Sequence, residues 1–316
     1  MEPQSFLHGL DWLSEYIDKG EEIMFRNNGV LIATSFLECV FCEQLSKIRI
    51  NRFVRKFRKT TDPEYTEIIE YISSNKTTAF QRIYPYSFTN NYTYEKIKLY
   101  KENDSFYALK NGRKLYLGKE FATEKEAKLY YQRLLIEQDE ESPHRYLTEN
   151  FHPETDDIVF DIGGAEGNFS FDVIETCKKI YIFECDERWI EELKKTFSDY
   201  SDKVVFVNKF VDDHSDETHI SIDDFVRENG LNDEHIFIKI DAEGSEVKIL
   251  NGARKTLNKN TVRLAVCSYH KNDDEKNIRA IFNGWNINHS RGYMFFIYDF
   301  KIHFPYFRRG VLRVSK

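Results

Sequence analysis

Four polar residues, Glu184, Asp241, Glu243 and His270, stand just beyond short apolar segments in the C-terminal half of the chain. If those segments are parallel strands, their carboxyl ends meet at one edge of a sheet, where ligands bind in such folds. A carboxylate there can accept hydrogen bonds from hydroxyl groups, and a carboxylate or a histidine can remove a proton. We therefore expect ligand binding and proton transfer at this edge.

Asp241 and Glu243 leave three interpretations open. They can contact a substrate or act as a base, or they can hold a divalent metal. Alternatively, together with Glu246, they only cap the following helix, at whose N-terminus negative charge is favourable. Because no clear third and fourth metal ligand is visible, we expect substrate contact or catalysis and no metal.

His270 lies in the segment Cys267-Ser-Tyr-His-Lys271, after the fifth predicted strand of the C-terminal half. An imidazole whose pKa is near neutrality suits a general base for a hydroxyl group, and we predict that role for His270. The alternative is a partly exposed loop histidine. Tyr269 and Lys271 are predicted to line the pocket for the acceptor.

A glycine-rich turn follows the first predicted strand of this half, in Ile158-Val-Phe-Asp-Ile-Gly-Gly-Ala-Glu-Gly167. Glycines allow a sharp turn and a close approach of backbone to ligand. The dinucleotide fingerprint G-x-G-x-x-G fails here, since Ala165 stands at its third position. The pattern is instead Asp-x-Gly-x-x-x-Gly, typical of methyltransferases that use S-adenosylmethionine (SAM). Glu184, 23 residues after Asp161, can accept hydrogen bonds from both ribose hydroxyls of a nucleoside. The alternative is an ordinary α/β turn.

From about Ile158 to Phe300 the chain resembles the FkbM-type SAM-dependent methyltransferases, and Phe106–Leu147 resembles the lead-in of some bacterial members. It departs from the commoner family text at Cys185, where Pro is typical, and at Gly164-Ala165, where Ala-Asn is typical. The motifs that carry the resemblance are Phe160-Asp-Ile-Gly-Gly-Ala-Glu-Gly-Asn-Phe-Ser170, Phe183-Glu-Cys-Asp186, Val207-Asn-Lys-Phe-Val211, Ile238-Lys-Ile-Asp-Ala-Glu-Gly-Ser-Glu246 and Leu250-Asn-Gly-Ala253.

The resemblance implies SAM as cofactor and O-methylation, often of sugars or natural-product hydroxyls. Two other classes stay open: an oxidoreductase that uses a nicotinamide cofactor, and a non-enzymatic module that binds SAM or an acidic glycan. Asp212 and Asp213 are placed where related methyltransferases receive the adenine. The full predicted cofactor-binding set is Asp161, Gly163, Gly164, Gly167, Asn168, Phe169, Glu184, Asp212 and Asp213.

The alternation of apolar segments and helical patterns after residue 150 predicts an α/β fold. We expect a Rossmann-like, doubly wound, mostly parallel seven-stranded sheet with an antiparallel C-terminal hairpin made of Trp285–Asn288 and Tyr293–Phe300. A mainly helical N-terminal region precedes it, with a small β-hairpin at Asn111-Gly112. The predicted divisions are 1–95, a helical region; 96–150, a hairpin and a helix; and 151–316, the methyltransferase domain.

The segment 47–59 carries seven cations, and its apolar residues Ile50, Phe53, Val54 and Phe57 share one helical face. Such a helix allows contact with an anionic membrane, a lipid-linked substrate or another polyanion, and the alternative is a solvated helix packed on the core. The net charge of −8 argues against a nucleic acid partner. The five cysteines and the absence of a signal-peptide pattern at the N-terminus favour a cytoplasmic protein.

Overall fold

The computed structural model describes residues 23–27, 30–34, 36–74, 83–296 and 302–316, with side chains from residue 46 onward. The strands are β1 Ile23–Asn27, β2 Val30–Thr34, β3 Tyr100–Glu102, β4 Ser105–Lys110, β5 Arg113–Tyr116, β6 Ile158–Ile162, β7 Lys179–Phe183, β8 Val204–Val207, β9 Phe210–Val211, β10 His219–Ile220, β11 His235–Ile240, β12 Thr261–Cys267, β13 Asn286–His289, β14 Met294–Phe295, β15 Phe307–Arg308 and β16 Val311–Ser315. The α-helices are α1 Phe36–Phe57, α2 Pro63–Ser74, α3 Glu124–Glu137, α4 Asn168–Val173, α5 Glu187–Thr196, α6 Ile222–Glu228, α7 Glu246–Asn251, α8 Arg254–Lys259 and α9 Asp274–Ile281.

The chain divides into two units. One comprises Met1–Asn91 and Gly292–Arg308, and the other comprises Tyr92–Arg291 and Arg309–Lys316. The hairpin and helix that we placed in a separate segment at 96–150 therefore belong to the same unit as the large sheet. That residues 95 and 150 also separate regions with different functions stays a prediction.

A mixed seven-stranded sheet forms the centre of the second unit, in the order β13-β16-β12-β11-β6-β7-β8. The pairings from β12 through β8 are parallel, and β16 is antiparallel to both of its neighbours. Strands β6, β7 and β11 are almost continuously apolar and buried, as expected of parallel strands covered by helices on both faces. This is an α/β, Rossmann-like fold whose strands β6, β7, β11 and β12 all end at one edge.

Three strands and one helix precede the large sheet in this unit. Strands β3, β4 and β5 form an antiparallel sheet, and Asn111 and Gly112 take the left-handed conformation in the β4–β5 turn, as that residue pair predicts. Thr123 and Glu126 form a capping box at the start of α3.

The prediction of the C-terminal hairpin is wrong in its second strand. The partner of β13 is β16, whose residues Val311, Leu312 and Val314 are fully buried between β12 and β13. The described part of the predicted second strand, Met294–Phe295, pairs instead with β15 in the other unit. Both segments have an apolar pattern that suits a strand, and such a pattern does not specify the strand's partner.

The first unit contains a β-hairpin, β1–β2, in a region that we predicted to be mainly helical. The helical spacing of Phe6, Leu10, Leu13 and Ile17 predicts a helix in this region, and these four residues lie outside the described residues. Among the described residues, no helix is long and apolar enough to cross a membrane.

Helix α1 contains most of the basic segment 47–59. Phe53 on its apolar face is fully buried, and its ring contacts Tyr65, Phe295 and Phe307. This agrees with the packed-helix alternative for the apolar face. Contact of 47–59 with a membrane or a lipid-linked substrate stays a prediction that concerns its charged face.

Candidate functional site

The glycine turn after β6 joins the ends of three neighbouring strands. Gly163 has φ +75°, and its N–H donates to the Phe183 carbonyl at the end of β7 over 3.0 Å. A Cβ at Gly163 would lie 1.9 Å from the Asp241 carbonyl oxygen at the end of β11. Ala165 and Gly167 also have positive φ, at 44° and 83°. The turn therefore requires glycine at 163 for both backbone angle and space.

Asp161, at the end of β6, is a buried support of this turn, and its contact with a cofactor stays a prediction. It is fully buried, lies 3.0 Å from Lys239 Nζ and accepts a hydrogen bond from Ser170 over 2.7 Å. Lys239 also donates to the carbonyl oxygen of Gly163. Burial alone would lower the pKa of Lys239, but Asp161 and Asp241 raise it. The pair is thus a buried ion pair that ties β6, β11 and the turn together.

Three other residues of the predicted cofactor-binding set, Gly164, Asn168 and Phe169, are in contact with other parts of the protein. Asn168 is buried and accepts a hydrogen bond from Lys110 over 2.9 Å, and Phe169 packs against the rings of Tyr146 and Phe237. Gly164 is buried, and a Cβ there would lie 2.4 Å from Ile182. Asn168 and Phe169 consequently pack within the protein.

Glu184 bridges the glycine turn and the start of α5. One carboxylate oxygen accepts the N–H of Ala165 over 2.8 Å, and the other accepts the N–H of Asp186 over 2.7 Å. Burial raises the pKa of Glu184, while the two N–H donors oppose that rise. A carboxylate oxygen can accept more than one hydrogen bond, so each oxygen has capacity for a ligand hydroxyl.

Asp212 and Asp213 follow β9, which lies in a separate two-stranded sheet with β10. The Asp212 carboxylate lies 3.2 Å from Lys248 Nζ and 3.9 Å from His214 Nδ1, and it accepts the N–H of Asp213 over 2.7 Å. Asp213 lies 3.1 Å from His214. These contacts do not join the two residues to the glycine turn, and their role at adenine stays a prediction.

The carboxylate of Asp241, just after β11, is surrounded by hydrogen-bond donors. One oxygen accepts from the Tyr146 hydroxyl over 2.6 Å and lies 3.4 Å from His144 Nε2, and the other accepts from the Tyr269 hydroxyl over 3.3 Å. Burial alone would raise the pKa of Asp241, but His144, together with His270 and Lys239, holds it well below its usual range. Asp241 is therefore an ionised carboxylate at neutral pH.

His270 lies between two carboxylates. Its Nδ1 is 2.7 Å from a Glu246 oxygen, and its Nε2 is 3.4 Å from an Asp241 oxygen. The imidazole is 3% exposed. Burial alone would lower the pKa of His270, but Glu246 and Asp241 outweigh it and raise the pKa to about 9. At neutral pH this histidine is an imidazolium ion.

Glu243 has a different setting on the rim, by which we mean the edge of the sheet formed by Asp241, Glu243 and His270 after β11 and β12. The residue is exposed, with φ +54°. Desolvation by the surrounding protein, helped by Asp241 and Glu246 and opposed by His270, raises its pKa to about 7. A carboxyl group with such a pKa can both accept and release a proton near neutrality.

The two residues predicted to line the acceptor pocket have supporting contacts. Tyr269 is buried, and its hydroxyl lies 3.1 Å from His144 Nε2 in addition to its contact with Asp241. Lys271 donates through its ammonium group to the Gly244 carbonyl. Contact of either side chain with an acceptor stays a prediction.

Sequence reasoning missed His144, Tyr146 and Lys239. Tyr146 meets Asp241 across 95 residues of sequence, and neither His144 nor Tyr146 lies in a periodic pattern or a motif. Arg313 of β16 donates to the Tyr146 carbonyl over 2.9 Å and so holds this segment in place. Lys239 did carry a signal, because it is a lone cation within the apolar segment Ile236–Ile240.

The donor atoms of Asp241, Glu246 and His270 all lie within 4.8 Å of one another, a group compatible with a metal ion. The same atoms already form two ion pairs, because the imidazolium of His270 lies between the two carboxylates. The arrangement as it stands offers a fixed anion at Asp241, a buried cation at His270 and a titratable carboxyl at Glu243.

Several solved structures resemble this chain at low identity. The methyltransferase FkbM from Methylobacillus flagellatus is 18% identical, with 52% of this chain and 44% of that chain covered and a TM-score of 0.41. The precorrin-6y C5,15-methyltransferase from Geobacter metallireducens is 14% identical, with 52% and 82% covered and a TM-score of 0.36. A putative methyltransferase from Streptococcus mutans in complex with SAH is 12% identical, with 60% and 97% covered and a TM-score of 0.34.

The chain thus spans less than half of the first of these proteins, and scores this low carry no argument about its chemistry. No curated protein matches it. The family model for the methyltransferase FkbM domain matches residues 100–295, well over half of the chain, and this range includes the glycine turn, Glu184 and the whole Asp241–His270 rim. The chain therefore belongs to the FkbM methyltransferase family.

Proposed function

We propose that this methyltransferase uses SAM and methylates a hydroxyl oxygen of a sugar, a glycan or a related compound. The observation that carries the proposal is Glu184, whose two oxygens are each held by one backbone N–H immediately beside the glycine turn. This arrangement leaves a preorganised acceptor for the two ribose hydroxyls of a nucleoside. A place in cytoplasmic polysaccharide biosynthesis belongs to the same proposal.

The residues present suit a bound nucleoside cofactor. Gly163 leaves room that a side chain would take, and Ala165 and Gly167 continue a left-handed turn next to Glu184. In the proposal Glu184 binds the ribose, while Asp212 and Asp213 contact the adenine. When bound, SAM supplies a methyl group on a sulfonium that is open to in-line displacement.

The rim beyond the turn suits a hydroxyl acceptor. It presents the ionised carboxylate of Asp241 and the titratable carboxyl of Glu243, both of which can accept a hydrogen bond from a hydroxyl group. In the transfer the acceptor O–H bond breaks, its proton moves to a base on the protein, and the oxygen electron pair forms the new C–O bond. The C–S bond breaks with its electron pair going to sulfur, so charge and atoms balance.

Calorimetry with SAM, S-adenosylhomocysteine and NAD tests the cofactor assignment. We expect binding of the first two and none of NAD. Glu184→Ala should weaken SAM binding by about 1.5–3 kcal/mol, the range for hydrogen bonds to a charged group. Glu228→Ala on the exposed end of α6 is the matched control and should bind as the parent does. Tight NAD binding, or a Glu184→Ala variant that binds SAM normally, would refute the assignment.

The acceptor class is tested by measuring S-adenosylhomocysteine release with three panels of acceptors: nucleotide sugars and free oligosaccharides, phenols, and primary amines. Turnover with the sugar panel alone supports the proposal. Turnover only with phenols or amines would redirect it to another acceptor while leaving the cofactor assignment in place.

A further inference from the structure

We infer that Glu243 is the group that takes the acceptor proton, and that His270 and Glu246 are a buried ion pair that positions it. The inference rests on the proposed function and assigns separate roles within its site. It departs from the expectation that His270 is the base.

The geometry of His270 opposes a role as proton acceptor. Each ring nitrogen faces a carboxylate oxygen, at 2.7 Å for Glu246 and 3.4 Å for Asp241. The two carboxylates stabilise the protonated imidazolium, in which both nitrogens carry a hydrogen and neither has a lone pair to offer. The 3% exposure of the side chain also keeps it from a bound acceptor.

Glu246 connects this histidine to the turn that contains Glu243. The same Glu246 oxygen that faces His270 accepts the N–H of Ala242 over 3.0 Å and the N–H of Gly244 over 3.3 Å. These are the two residues on either side of Glu243 in the chain. Glu246 is fully buried, so the imidazolium of His270 compensates a charge that would otherwise be costly to bury.

The turn held in this way is strained at the residue it presents. Glu243 has φ +54° and Gly244 has φ +90°. The left-handed region is unfavourable for a glutamate, and such conformations persist only where the surrounding structure enforces them. Here the enforcing contacts are the two hydrogen bonds that the backbone N–H groups of Ala242 and Gly244 donate to Glu246. Their effect is to place Glu243 on the exposed rim.

Asp241 is excluded as the base by its own partners. Its two oxygens accept from the hydroxyls of Tyr146 and Tyr269, and its pKa lies well below the usual range. Glu243, with a pKa of about 7, holds a proton far better at neutral pH. A proton that leaves the acceptor hydroxyl therefore ends on Glu243, which releases it to solvent in the next cycle.

The positioning role can be tested on the purified protein without any acceptor. With ¹⁵N-labelled histidine, the His270 signal is identified by its loss in His270→Asn. We expect both nitrogens protonated at pH 7.5 and titration near pH 9. Glu246→Gln should move that titration to clearly lower pH, whereas His235→Asn, at the exposed start of β11, should not move it. A His270 that titrates near 6.5 in the parent would overturn the inference.

The side-chain carboxyl of Glu243 is tested in the same samples with ¹³C-labelled glutamate, its signal being identified by its loss in Glu243→Gln. We expect titration near pH 7. Titration near 4 would overturn its role as base, because the carboxyl would then hold a proton too weakly at neutral pH. Circular dichroism and SAM calorimetry on each variant identify any loss of folding or of cofactor binding.

With an active acceptor from the screen, kcat/KM should rise with pH through about 7, because the base works only when Glu243 is ionised. Glu243→Gln should lower kcat/KM about 100-fold or more, and the affinity for SAM should be unchanged. His270→Asn should lower kcat/KM and move the rising limb to a higher pH, because the imidazolium no longer opposes the rise in the pKa of Glu243. A rising limb near 9 that disappears in His270→Asn would make His270 the base. A failure to bind SAM would refute the proposed function and leave the NMR result on the ion pair standing.

Discussion

The two halves of the candidate site are built in different ways. The cofactor side, from Asp161 to Glu184, is held by backbone contacts between residues close in sequence, such as the 19-residue separation of Ala165 and Glu184. The acceptor side depends on side chains brought from far away, since Asp241 meets Tyr146 across 95 residues and Tyr269 meets His144 across 125. Local backbone geometry therefore forms one half, and long-range packing forms the other.

The largest expected effect is on the cofactor side. Gly163→Val should abolish SAM binding, because its Cβ would meet the Asp241 carbonyl oxygen at 1.9 Å and the valine would have to adopt φ +75°. Gly230→Val is the matched control: it also has positive φ, at 67°, but nothing lies within 4 Å of its Cβ. Calorimetry with SAM should therefore separate crowding from backbone strain. Equal losses in both variants would show that strain alone is responsible.

Lys239→Met is expected to reduce the free energy of unfolding by about 3–5 kcal/mol, because it leaves Asp161 as an uncompensated buried charge. This pair lies where the two halves meet, so the loss should appear in denaturant unfolding as well as in SAM binding. The double variant Lys239→Met/Asp161→Leu removes both charges and should regain much of the stability. A single variant as stable as the parent would contradict the ion pair.

Tyr146→Phe tests the long-range half alone. Removing the hydroxyl takes one hydrogen bond from the Asp241 carboxylate, a loss of about 1.5–3 kcal/mol for a charged acceptor. We expect lower stability by thermal unfolding and slower turnover, with SAM affinity nearly unchanged. Tyr107→Phe, on strand β4, is the control and should behave as the parent. A large loss of SAM affinity in Tyr146→Phe would show that the two halves are coupled.

The smallest expected effect is that of chelation. Because His270 already forms ion pairs with both Asp241 and Glu246, we expect EDTA to leave turnover and SAM affinity unchanged. Loss of turnover on chelation, restored by Mg²⁺ or Mn²⁺, would convert these three residues into metal ligands and would also remove the ion pair from the mechanism.

Sequence reasoning located both halves of the site, because the buried parallel strands are continuous apolar segments and the polar residues at their ends are conspicuous. It did not show which of these residues are buried among other side chains. Asp161 and Phe169 stand in the motif but are buried. A motif records spacing along the chain, whereas burial depends on which helix covers each position.

The sequence by itself determined the family, the central strands, the glycine turn and the position of Glu184, since all of these follow from patterns within about 25 residues. Only the tertiary structure decided the protonation of His270 and Glu243, which are 27 residues apart but have pKa values of about 9 and 7 for reasons of burial and neighbouring charge. The same holds for the placement of β16, whose apolar residues would suit several strand positions. A side chain's charge state and a strand's partner depend on the whole fold, because both are set by atoms that the chain brings together from distant positions.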